Sequence, residues 1–142
     1  MRKSLYMKIL VPLDGSEYSE KALLHACDLG KNYHANLLLL YVVEKSLQIN
    51  LLDRKEYLEI LRKFGNKVLI KGKEITTNNG IDSKIILKEG NITNEIIKLA
   101  KNEKCNLIIV GNKGLGATAR FLLGSVSNKL VNNSPCSILI IK

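Results

Sequence analysis

Asn36-Leu37-Leu38-Leu39-Leu40-Tyr41-Val42-Val43 carries large apolar side chains at odd and even positions alike. Successive side chains of a strand point to opposite faces, so a strand built from this run has no solvent side. A parallel sheet covered by helices on both faces requires that pattern. Four more runs read the same way: Lys8–Pro12, Ser83–Leu87, Asn106–Val110 and Cys136–Ile141.

Between these runs the apolar period lengthens to that of a helix. Ala22, Ala26, Leu29 and Tyr33 recur on one face after the turn Asp14-Gly15-Ser16. Tyr57, Leu61, Phe64, Val68 and Ile75 do so from Asp53 onward, with Glu44–Leu52 before them as an irregular stretch. Ile92, Ile96 and Leu99 follow the capping residue Asn91, and Val126 and Leu130 follow Gly124-Ser125. Strand and helix therefore alternate throughout, and each gap is long enough for a right-handed crossover. The expected fold class is α/β: one doubly wound, Rossmann-like domain over residues 1–142. Its five-stranded parallel sheet has the order 3-2-1-4-5, with helices on both faces.

Composition excludes several functions. Leu, Ile and Val make up a third of the chain, enough for a sizeable core. No apolar run reaches the length of a membrane-spanning helix, and Asp14 interrupts the N-terminal stretch too early for a signal peptide. Cys27, Cys105 and Cys136 are widely spaced and form no CxxC pair, which argues against zinc and fits a reducing cytoplasm. His25 and His34 have no ligand-like spacing or partner acid, and they and the cysteines read as ordinary helix-surface or core residues. The net charge of +9 comes from 18 Lys and 4 Arg. The lysines are scattered with no nucleic-acid motif beside them, so they read as solvated surface rather than a nucleic-acid face.

In such a sheet a ligand binds beyond the carboxyl ends of the strands, where the winding direction reverses. That point lies between strands 1 and 4, fed by the loops Leu13–Ser16 and Gly111–Gly124. The second loop reads Gly111-Asn112-Lys113-Gly114-Leu115-Gly116, and after Arg120 it closes on Gly124-Ser125 at the last helix. Its glycines permit close backbone approach, and a helix start presents free N–H groups and a positive dipole end. With Lys113 and Arg120 nearby, the loop has the chemistry of a phosphate cradle. Neither the GxxxxGK[ST] nor the GxGxxG fingerprint is present, although Glu44 stands where a ribose partner would. Asp14 also reads as a plain Asx-turn residue, and Ser125 as a plain N-cap.

The spacing Gly111-x2-Gly114-x9-Gly124-Ser125 resembles the Gly-x2-Gly-x9-Gly-(Ser/Thr) signature of the universal stress protein family, in its ATP-binding branch. Ile9-Leu10-Val11-Pro12-Leu13-Asp14-Gly15-Ser16 is similar to that family's first strand and loop, and Leu40-Tyr41-Val42-Val43 to its second strand. Leu122–Ser127 and Val131–Cys136 resemble its closing helix and the entry to its last strand. The resemblance runs from Met7 to Lys142. Asn112 and Lys113 stand where the family often has a hydroxyl residue followed by a basic or imidazole one, and Ser137 replaces a frequent proline.

The resemblance implies a role for each matching position. Asp14, with Pro12 beside it, would meet the adenosine, and Val42 would offer backbone to the adenine edge. Val110, Gly111, Asn112, Lys113, Gly114, Leu115 and Gly116 would line the ribose and phosphates. Gly124, Ser125 and Val126 would hold phosphate oxygens at the helix start. The implied function is a cytoplasmic stress-response module that binds ATP, with or without Mg²⁺, as a switch. Weak ATP hydrolysis and a nucleotide-free dimeric module are the alternatives. The resemblance also implies a homodimer through the last strand, Cys136–Ile141, whose apolar edge calls for a cover.

Overall fold

The computed structural model describes residues 5–45, 51–113 and 125–142, apart from the side chains of 51–53. Its elements are β1 (Lys8–Pro12), α1 (Glu17–Tyr33), β2 (Asn36–Glu44), α2 (Leu51–Asn78), β3 (Ser83–Gly90), α3 (Ile92–Asn102), β4 (Leu107–Gly111), α4 (Ser125–Asn133) and β5 (Ser137–Ile141). All strand pairs are parallel, and the order is β3-β2-β1-β4-β5. The doubly wound sheet read from the apolar runs is therefore the observed one.

Alternation along each central strand divides the core in two. Ile9, Val11, Leu37 and Leu39 pack under α1 and α2, while Leu10, Leu38, Leu40 and Ile108 pack under α3 and α4. Both sets are buried, which is why these strands needed apolar residues at every position. The helix starts are capped as their sequences require. Ser16 accepts a hydrogen bond from the Ser19 N–H at 3.1 Å, and Asn91 accepts one from the Asn94 N–H at 3.0 Å. His34 ends α1 in the left-handed region, at φ 54°.

Two expectations need correction. Helix α2 begins at Leu51 rather than Asp53, and of the stripes expected to be core Tyr33 on α1 and Tyr57 and Phe64 on α2 are 37%, 36% and 39% exposed. Strand β3 extends to Gly90 and is not covered on both faces, since Ile85 is 39% exposed. As an outer strand it has one pairing partner and less helix above it. Lys84 and Lys88 lie exposed along it, and Glu89 is tied to Arg62 of α2 at 2.7 Å, so charge blunts this edge.

Candidate functional site

The carboxyl ends of β1, β2 and β4 carry the residues singled out in the sequence. Pro12 lies opposite Leu40, and the Leu13 N–H adds one more sheet hydrogen bond, to the Leu40 carbonyl at 2.8 Å. Extending the β1–β4 register from Leu10 and Ile108 sets Pro12 level with Val110. Val42 continues β2 two residues beyond that row and is half-buried against the α3–α4 core. Since β1 separates β2 from β4, Val42 and Gly111 belong to strands about 10 Å apart, two strand spacings.

The β1–α1 loop is held by its own polar side chains. Ser16 N–H donates to Asp14 Oδ1 at 2.8 Å, closing an Asx-turn, and Gly15 takes the left-handed conformation at φ 87°. Ser19 Oγ donates to the Ser16 carbonyl at 3.0 Å and accepts from the Asp14 N–H at 3.4 Å. Asp14 is thus the turn-former that local chemistry suggests, and it is also placed at the end of β1. Its charge, after burial, helps hold the Tyr41 phenol above its ordinary pKa.

The second loop leaves β4 in contact with α1. A side chain at Gly111 would place its Cβ 2.7 Å from Tyr18 Cβ and 2.8 Å from the Tyr18 carbonyl carbon. Only a glycine lets the start of α1 lie against the end of β4 in this way. Asn112 is buried, and its N–H continues the sheet to the Ile141 carbonyl at 2.8 Å. The amines of Lys21 and Lys113 each lie 5.8 Å from the centre of the Tyr18 ring, within cation–π range. Of the lysines scattered between Lys21 and Lys129, every other described one is exposed, and Lys113 alone is half-buried. These lysines stand in solvent, and the exception falls in this loop.

Helix α4 is tied to the same point, because Ser127 Oγ donates to the Gly111 carbonyl at 2.7 Å. That bond seats the first turn of α4, with exposed Ser125 and half-buried Val126, beside the end of β4. Gly111, Asn112 and Lys113 at the end of β4 thus lie beside Ser125 and Val126 at the start of α4, with Asp14 at the end of the neighbouring strand β1 and Val42 one strand further out. Gly114, Leu115, Gly116, Arg120 and Gly124 lie outside the described residues. Tyr18 and Ser127 were not singled out in the sequence. Nothing in their spacing marks them, since their roles come from a contact and a hydrogen bond to Gly111 across the fold.

The remaining candidates are quiet. His25 and His34 are exposed, Cys27 and Cys105 are buried, and Cys136 is half-buried. Burial pushes the Cys105 thiol up to about 11, far from the reactive thiolate range. Glu44 is half-buried at the end of β2, opposite Gly90. Among the described residues no group of three or more His, Cys, Asp or Glu side chains could hold a metal ion, and no helix is long and apolar enough to cross a membrane.

This architecture is shared. A universal stress protein of Methanocaldococcus jannaschii is 33% identical over 143 aligned residues, covering 99% of this chain and 84% of the relative. The structure of the universal stress protein UspA from Lactobacillus plantarum superposes with a TM-score of 0.90 at 25% identity, covering 96% of this chain and 98% of that one. A universal stress protein solved in complex with cAMP shares the fold at TM-score 0.73 and 23% identity, covering 96% of each chain. The sequence model of the universal stress protein family matches residues 5–142, and with these relatives it makes the chain a member of that family.

Proposed function

We propose that the crevice between β1 and β4 binds an adenine nucleotide, ATP in the first instance, and that the protein works in stress response by changing state with it. The observation that carries this reading is the meeting of three elements at Gly111. The start of α1 closes on the glycine, Ser127 anchors α4 to its carbonyl, and Lys113 leaves it as a half-buried cation. A helix start beside a cation and a strand end is a ready site for phosphate. The roughly 10 Å from β4 to β2 suits a nucleoside laid from phosphates at α4 to a base at Val42. Asp14 and Pro12 stand between these ends, where the ribose would lie. The relative solved with cAMP supports an adenine nucleotide, and the Gly111-x2-Gly114-x9-Gly124-Ser125 spacing supports a full phosphate chain.

The residues fit ATP as a ligand better than as a substrate. Asp14 is the one carboxylate in the described parts of the two loops, and its Oδ1 is engaged by the Ser16 N–H. Mg²⁺ would therefore be held mainly by phosphate oxygens. Main-chain donors bind ground-state and transition-state phosphates nearly alike, and uniform binding does not speed a reaction. Turnover is expected far below the roughly 1–10³ s⁻¹ of ordinary enzymes. Mass spectrometry of the nucleotide released on denaturing the purified protein, with ATP titration of Gly124→Val, tests the reading. Co-purifying ATP, and loss of binding in the variant, are expected. Failure of ATP, ADP and cAMP all to bind the wild type refutes it.

A further inference from the structure

A second hollow lies on the other face of the β1–α1 loop. Helix α1 packs over β1 and β4 and α2 over β2 and β3, so the two helices touch sparingly and leave a cavity of about 180 Å³ between them. Leu13, Leu23, Val68 and Ile75 supply apolar walls, and Phe64 stands at its mouth, 39% exposed. Two glycines hold the walls in place. A Cβ at Gly15 would lie 2.8 Å from Phe64 Cζ, and one at Gly72 would lie 2.8 Å from Leu13 Cδ1. The polar groups of the inner rim are already engaged, since Ser16 and Ser19 hydrogen bond to each other.

The charge at the mouth is positive. Lys67 and Lys71 project one helical turn apart from α2, and both are exposed. Glu20 of α1 lies 3.5 Å from Lys71 and offsets that charge. Lys67 makes no ion pair with a described residue, so the charged side chains that line the hollow, Glu20, Lys67 and Lys71, sum to one positive charge. An apolar cavity of about 150 Å³ has room for a single benzene ring. Hollow and rim together therefore match a body of one small ring bearing one negative charge.

We infer that this α1–α2 cavity is a ligand site for a small apolar monocarboxylate, with the ring or short chain among Leu13, Val68 and Ile75 and the carboxylate at Lys67. The site is distinct from the nucleotide crevice and does not depend on it. It shares the segment Leu13–Ser16 with that crevice, so an occupant is felt at the Gly15 amide.

The probe is 4-fluorophenylacetate, followed by its ¹⁹F signal and by the amide resonances of Gly15 and Gly72 on the full chain. Saturable binding with a Kd at or below about 1 mM is expected, with both glycine resonances moving. Lys67→Glu, an exposed change that leaves the core untouched, should weaken binding at least tenfold. Val68→Phe should abolish it by filling the hollow, and 4-fluorobenzyl alcohol should bind at least tenfold more weakly than the acid. The inference is overturned if the wild type shows no saturation, if the alcohol binds as well as the acid, or if Lys67→Glu leaves the affinity unchanged. Addition of ATP should leave the probe bound. Its competitive displacement would mean that the probe occupies the nucleotide crevice instead, which also overturns the assignment.

Discussion

Replacing Gly111 by alanine adds one methyl group where α1 and β4 touch. The new Cβ would sit 2.7 Å from Tyr18 Cβ, 2.8 Å from the Tyr18 carbonyl carbon and 2.9 Å from its oxygen. Two of these three atoms are main chain within α1, so no rotamer change relieves the clash. To restore contact at about 3.7 Å the start of α1 must retreat by roughly 1 Å. Overpacking of this kind costs about 1–3 kcal/mol. With an unfolding entropy of about 2.1 cal/mol/K per residue, 142 residues turn ~2 kcal/mol into a Tm loss of about 7 °C. Gly30→Ala is the control, because its Cβ would meet Ile81 Cδ1 at a comparable 2.9 Å, the tip of a flexible side chain. Alanine there also gains up to about 1 kcal/mol of helix propensity within α1. Differential scanning calorimetry of both variants should show a large loss for Gly111→Ala and little or none for Gly30→Ala. A Gly111→Ala melt within 1 or 2 °C of the wild type would falsify the close-approach argument.

Three further outcomes follow from single contacts. Ser127→Ala strips the half-buried Gly111 carbonyl of its 2.7 Å donor and should lower stability by about 1 kcal/mol in urea unfolding, with an unchanged m-value. Ile138→Lys on β5, an outer strand with half-buried Ile138, Leu139 and Ile140, should give monomers in light scattering if that strand pairs with its symmetry mate; a monomeric wild type would discard the pairing. The Arg62 hydrogen bond holds the Glu89 carboxyl below its ordinary pKa. Its stabilisation is therefore present above the unfolded value and lost as pH falls through the folded one. Glu89→Gln should accordingly melt lower than the wild type at pH 7 and converge with it in acid. A difference that persists unchanged at pH 3 would contradict the assignment.

What was legible in the sequence is what short-range rules control. A strand apolar at every position has to be covered on both faces, so Leu37–Val43 and Ile9–Val11 announce a parallel α/β sheet without reference to any other residue. Asp14-Gly15-Ser16 closes as the turn its side chains encode. The reversal point between β1 and β4 then follows from the strand order, and with it the neighbourhood of Asp14, Gly111 and Ser125.

Tertiary structure alone decided the rest, because the rest consists of distances between segments far apart in the chain. A run such as Ser83–Leu87 looks the same in the middle of a sheet and at its edge, and the position of β3 exposed Ile85 and lengthened the strand to Gly90. Gly111 is one glycine among ten in the sequence, and the approach of Tyr18 makes any side chain there costly. Ser127 is a helical serine until the Gly111 carbonyl lies 2.7 Å away. Phe64 and Val68 belong to the apolar stripe of α2, and the separation of α1 from α2 turned that part of the stripe into the wall of a cavity. Periodicity states which face of an element is apolar, while how closely that face meets its neighbour depends on packing volumes summed over both elements.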